Sequence, residues 1–143
     1  MKRAGLRALG ARAIVIAVSA VIWTGAGATV AGVAMPAPQA LRALEAGEWE
    51  LHGRGEGAAT RKLCVSDLRQ LLQVQHGRAL CRAFMISDSS NAVTVTYDCA
   101  AGGNGRTDLR VETTRLVQIQ SQGIADGAPF AFAAEGRRVG DCH

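Results

Sequence analysis

Aromatic side chains are scarce in this sequence: Trp, Tyr and Phe together make up 4% of its 143 residues. After the first 34 residues only Trp49, Phe84, Tyr97, Phe130 and Phe132 remain. That leaves few bulky groups to line a cavity and a lean supply for a core, and a lean core gains from covalent support. Acidic residues are missing before Glu45, and no Lys/Arg cluster is longer than a pair. From residue 40 onward there are 12 basic and 12 acidic side chains, so the formal excess of +4 sits in Lys2, Arg3, Arg7 and Arg12. A chain balanced in this way has no basic surface with which to neutralise phosphate backbones, which argues against nucleic acid as a partner.

Catalytic signatures are missing too. There is no G-x-S-x-G, no H-E-x-x-H and no phosphate loop; the glycines of "GGNGR" have no strand–helix context. A triad needs a nucleophile, a histidine base and an orienting carboxylate at one point. Nothing in the spacing brings His52, His76 or His143 to such a point, and all three read as exposed. The sequence therefore implies no catalytic residue, no metal and no cofactor, and the expected protein is not an enzyme.

Cysteine is absent before Cys64, which excludes a lipid-modified N-terminal cysteine. Cys64, Cys81, Cys99 and Cys142 are separated by 16, 17 and 42 residues. Structural zinc sites present thiolates in close pairs, and there is no such pair. Four cysteines in an exported chain of this size read as two disulfides.

Export is what the start of the chain implies. "MKRAGLRALGAR" is a positive n-region, "AIVIAVSAVIW" an apolar h-region and "TGAGATVAGVA" a small-residue c-region. Residues 1–34 read as a signal peptide cleaved after Ala34, with Ala28 the alternative, and 35–39 as an extended linker to a domain at 40–143. Residues 13–35 are long enough to span a bilayer, but Gly25, Gly27 and Gly32 make a poor anchor. No stable membrane insertion is expected once the leader is removed.

The domain reads as strands. Trp49, Leu51 and Gly53 alternate with polar neighbours, the period of a half-buried strand, and "ATRKLCV" returns after the glycine-rich "GRGEGA". Residues 39–46 suggest two helical turns stopped by Gly47. "SDLRQLLQVQHG" predicts the one clear helix, 66–76, with Ser66 as N-cap and Gly77 as stop. In "CRAFMISDSSNAVTVTYDCA" a turn centred on Ser90 makes opposed residues sum to 180. Cys81 then faces Cys99, Ala83 faces Tyr97, Met85 faces Val95, and Arg82 meets Asp98 on the other face. A further hairpin turns Leu109, Val111, Val117 and Ile119 inward. After the "IADG" turn, the last strand buries Phe130, Phe132 and Ala134. The fold class is mainly β: an antiparallel meander of about seven strands curled into a small barrel or half-barrel, the helix covering one opening.

The register pairs Cys81 with Cys99, and elimination then leaves Cys64 for Cys142. In a simple meander the last strand runs away from Cys64, so the tail must bend back at Gly136 and Gly140. The rival pairing, Cys64–Cys81 with Cys99–Cys142, closes the helical excursion and needs the same bend.

"GEWEL", "KLCV", "LCRAF", "VTYDC" and the terminal "GRRVGDC" together resemble the domain-of-unknown-function 3617 family of exported proteobacterial proteins. The match covers roughly residues 40–142 and rests most on Gly47, Trp49 and Glu50 at the start and on Gly136, Arg137, Arg138, Gly140 and Cys142 at the end. "TTRLVQIQSQG" departs from that family's usual pattern. The resemblance implies a periplasmic location and a β-rich fold, and no activity.

Gly47 and Trp49 also resemble the opening of lipocalin barrels, whose tryptophan plugs the closed end. By that analogy the chain would carry an apolar ligand; the plain reading is a core tryptophan. Arg137 and Arg138 are candidate anion contacts, with solvation or pairing to carboxylates the plain alternative. The functional expectation is a non-catalytic binding or interaction module of the cell envelope, with an envelope protein or a small ligand as partner. The alternatives are a lipocalin-like carrier and an enzyme whose site is assembled from scattered residues.

Overall fold

The computed structural model describes residues 35–143; the expected leader lies outside them. Seven antiparallel strands form one sheet: β1 (Gly47–Gly53), β2 (Thr60–Val65), β3 (Arg82–Asp88), β4 (Ala92–Asp98), β5 (Gly103–Thr113), β6 (Leu116–Ala125) and β7 (Ala128–Gly140). Their order is β2-β1-β7-β6-β5-β4-β3. This departs from a simple meander, because the last strand lies beside the first. The break in the sheet falls between β2 and β3, which occupy opposite edges, so the sheet stays open and does not close into a barrel.

Alternation sets the two faces. Trp49 and Leu51 of β1, Val93, Val95 and Tyr97 of β4, Leu109 of β5, Val117 and Ile119 of β6 and Ala134 of β7 are buried on one face. Their neighbours in sequence turn to the other, polar face. The expected hairpin register holds from Arg82↔Asp98 to Met85↔Val95. It then slips by one residue, with Ile86 as the extra residue of a bulge and Ser87 opposite Thr94. Leu109↔Ile119 and Val111↔Val117 pair as their alternation implies. The turn at Asp126 and Gly127 has positive φ at both positions, 50° and 77°, the geometry that favours Asp-Gly between twisted strands.

Two short 3-10 turns cover the apolar face where the sequence suggested α-helix. The first, η1 (Ala40–Ala43), buries Ala40 and Leu41. Asp88 of β3 holds its start by accepting from the Gln39 amide at 2.7 Å and the Ala40 amide at 3.3 Å. Residues 35–39 are not a free linker: Pro38 is buried, and Met35 packs against the core. The second, η2 (Leu68–Leu72), replaces the helix expected over 66–76. Its N-cap is Asp67, not Ser66: Asp67 accepts from the Arg69 amide while the Gln70 side chain accepts from the Asp67 amide. Three-residue hydrogen bonds recur at Gln70 to Asp67, Gln73 to Gln70 and His76 to Gln73. The apolar stripe on this segment is too short to reward a full α-helix. Leu71 and Leu72 reach the core, while Gln70 and Gln73 are buried for another purpose.

Both disulfides are formed as the hairpin register and elimination paired them: Cys81–Cys99 with Cα atoms 4.7 Å apart and Cys64–Cys142 with Cα atoms 5.4 Å apart. The rival pairing is not found. The tail needs no bend. β7 runs antiparallel beside β1, so it ends where β1 begins and β2 finishes, and neither Gly136 nor Gly140 adopts a positive φ. Gly136 matters for space: a Cβ there would sit 2.9 Å from Val117 Cγ2 and 3.1 Å from Leu51 Cδ2. Gly140 has open space around it. Gly47 needs to be glycine on two counts, a φ of +142° and a Cβ position that collides with the Gly140 carbonyl oxygen.

Candidate functional site

The apolar face is not completely filled. At the β3–β4 side a cavity of about 390 Å³ remains between the sheet and the segment that follows η2. Ala83, Val95 and Tyr97 form its sheet wall, Leu72, Gln73 and Leu80 the opposite wall, and Met35 and Cys81 part of the rim. Its volume falls in the range of small-molecule pockets. Of the five aromatics only Tyr97 contributes to it; aliphatic groups supply most of the rest, which is why aromatic scarcity did not preclude a cavity here.

Buried glutamines fix the wall. Gln73 donates to the Ala79 carbonyl at 2.6 Å and accepts from the Cys81 amide at 2.9 Å. Gln70 donates to the Arg78 carbonyl at 3.0 Å and accepts from the Ser66 amide at 3.0 Å. Each amide thus satisfies backbone groups of an irregular loop that no strand pairs. Neither glutamine stands out in the sequence; the available signal is their i, i+3 spacing around Leu71 and Leu72.

Two arginines stand at the cavity. Arg69 forms a fork with Asp67, Nη2 to Oδ2 at 2.6 Å and Nε to Oδ1 at 3.0 Å, and its Nη1 donates to the Met35 carbonyl at 3.0 Å. The Arg69 guanidinium holds the Asp67 carboxyl below the ordinary carboxylate range, and Asp67 raises Arg69 in return. Arg82 pairs with Asp98 at 3.1 Å, as its cross-strand position implied. Apart from these two paired arginines, Gln73 and the Tyr97 hydroxyl, the lining side chains are apolar.

His76 is not the exposed helix-end residue expected from sequence. Its ring lies edge-on between Tyr97 (centroids 5.1 Å apart) and Phe130 (5.7 Å). Those two residues flank the glycine pair in the row Tyr97, Gly105, Gly123, Phe130. The Tyr97 ring lies over Gly105, where a Cβ would meet its Cζ at 2.6 Å, and His76 Nε2 comes within 3.3 Å of the Cβ position of Gly103. His76 Nε2 donates to the Ile124 carbonyl at 2.8 Å, which fixes the tautomer, and Nδ1 is buried without a partner. Beside it Thr107 donates to Ser121 at 2.8 Å, and Ser121 to the Arg106 carbonyl at 3.2 Å. This buried pair, with the Tyr97 hydroxyl 3.5 Å from Ser121 Oγ, has its protons committed within the chain.

The remaining sequence candidates lie apart from the cavity. Trp49 is fully buried in the core, donates its indole N–H to the Glu45 carbonyl at 3.1 Å and does not line the cavity. Arg137 Nε donates to Glu135 at 2.7 Å, which with Gln118 holds the Glu135 carboxyl below its usual range. Arg138 donates to the Ala46 carbonyl at 2.9 Å and to Asp141, in the space that Gly47 leaves open. Both arginines are thus committed to carboxylates within the chain. His52 sits on the polar face against Thr60 and Glu50, and His143 is exposed at the terminus. Among the described residues no three His, Cys, Asp or Glu side chains come together as a metal site.

The class this architecture defines is an open, disulfide-stapled antiparallel sheet with an apolar cavity on its covered face. No family model, no curated protein and no solved structure matches the chain.

Proposed function

We propose that this is an exported domain of the cell envelope, akin to the domain-of-unknown-function 3617 proteins, that works by binding a small apolar molecule and performs no chemistry. The observation that carries the reading is the 390 Å³ cavity, walled by Leu72, Leu80, Ala83 and Val95 and braced by buried glutamines. A cavity held open by hydrogen-bonded backbone and a disulfide at Cys81 is preorganised, which lowers the ordering cost of binding. Two disulfides suit an oxidising compartment, and among the described residues no helix is long and apolar enough to cross a membrane.

Titration with the uncharged fluorophore N-phenylnaphthylamine tests it. Saturable binding is expected, lost in Ala83→Trp, whose indole would fill the cavity, with the Tm retained. Unchanged probe binding in Ala83→Trp would remove the cavity as the site.

The interaction reading has its own observation. β3 is a free edge, and Phe84 and Ile86 on it are 54% and 56% exposed. Such an edge offers unpaired backbone groups to a partner strand.

A further inference from the structure

We propose that Arg61 and Arg78 form a binding site for a phosphate group at the free edge of β2. From residue 40 onward the chain has twelve cations, and most have a carboxylate within 4.0 Å. Arg42, Arg61, Arg78 and Arg115 have none among the described residues. Two of these four line one small cavity of about 170 Å³ between β2 and the loop after η2. No carboxylate lines that cavity; Lys62 is also in its wall, but its ammonium is taken up by Glu48 and Glu50, which leaves Arg61 and Arg78 as the uncompensated cations.

Arg61 is the anchor. It projects from the apolar side of β2, stacked 5.2 Å from the Phe132 ring centroid, and donates Nη2 to the Val74 carbonyl at 2.8 Å. Its Nε is buried with no acceptor. Burial pulls the Arg61 pKa down from its ordinary value. A half-buried guanidinium without a counter-charge is costly, and an anion at its remaining face offsets that cost. Arg78 supplies the second fork. The Gln70 amide pins its backbone carbonyl at 3.0 Å, directly after the turn at Gly77 with φ +76°. Its side chain is exposed and unpaired, free to close over a ligand. Two planar forks suit a tetrahedral dianion better than a single carboxylate. At about 170 Å³ the cavity is large enough to take a phosphate group.

Inorganic phosphate and glycerol phosphate, titrated separately into the purified protein at constant ionic strength, test the site. Saturable binding of at least one and a raised Tm are expected. Binding of both assigns the free ion, and binding of glycerol phosphate alone assigns a monoester. Arg78→Gln should weaken binding at least tenfold with an unchanged unliganded Tm, Arg61→Lys should weaken it while keeping the charge, and Arg115→Gln should leave it intact. No saturable binding of either ligand, equal binding in Arg78→Gln, or the same Tm rise from acetate would each overturn the proposal.

Discussion

Cys142 reaches Cys64 across a single strand. Glu48 of β1 pairs with Cys64 on one side and with Gly140 on the other, so the two cysteines meet at the start of β1, although they lie 78 positions apart in sequence. Non-reducing peptide mapping should recover one linked peptide holding Cys64 and Cys142 and another holding Cys81 and Cys99. Replacing the first pair by serine removes a constraint of about 4 kcal/mol on the chain-entropy model. Chemical denaturation should show a loss of that order, and a loss under about 1 kcal/mol would mean the reduced chain keeps its ends together.

Gly136→Ala should destabilise by about 1–3 kcal/mol, because the new methyl meets Val117 and Leu51 with Trp49 Cε3 behind them at 3.6 Å. Trp49 is the one tryptophan among residues 35–143, so its emission reports the change: a blue-shifted band that moves red on unfolding at a lower denaturant concentration. Gly140→Ala, with open space around it, should leave the midpoint within about 0.5 kcal/mol of the parent.

Asp67 gives stability a pH dependence. Its folded carboxyl lies below the ordinary range because Arg69 hydrogen-bonds it. Its contribution is therefore complete above the unfolded carboxyl value of about 4 and is lost as pH falls through the depressed folded value. Asp67→Ala should cost about 1 kcal/mol at pH 7 through the lost cap. The gap to the parent should narrow below about pH 4; a gap constant down to pH 2 would show that the charge contributes nothing.

At the β3 edge, Phe84→Lys with Ile86→Lys should leave folding within about 0.5 kcal/mol, since both side chains are exposed. The same pair should reduce concentration-dependent association measured by light scattering, as charges on an edge strand do. Unaltered association would mean that β3 is not the adhesive edge.

The strands were legible because each has one wet and one dry face. The Cys81–Cys99 hairpin could be registered to the residue as far as Met85, and only the bulge at Ile86 lay beyond the pattern. The neighbour of β1 was not legible, since local alternation cannot say which distant strand completes a sheet. A charge cue existed: Glu50 stands opposite Lys62 on one side and Arg137 on the other. The helix over 66–76 rested on its end signals, Ser66 and Gly77, which say nothing of what Gln70 and Gln73 do between them. Gln70 and Gln73 serve the loop backbone, and that loop walls both cavities. His76 looked exposed because the groups that receive it, Tyr97, Phe130 and the Ile124 carbonyl, lie on strands far along the chain.

The placement of β7 beside β1 also dictates an order of events as the chain emerges. Strands β3 to β7 can zip one after another, each against the strand made just before it. The opening hairpin cannot join them until the last strand exists, so it waits through the whole of synthesis for its seat. Closure of Cys64 onto Cys142 then acts as a completeness check. A chain truncated within β7 leaves the opening hairpin without its seat, and one that ends before residue 142 lacks the bond that seals it there.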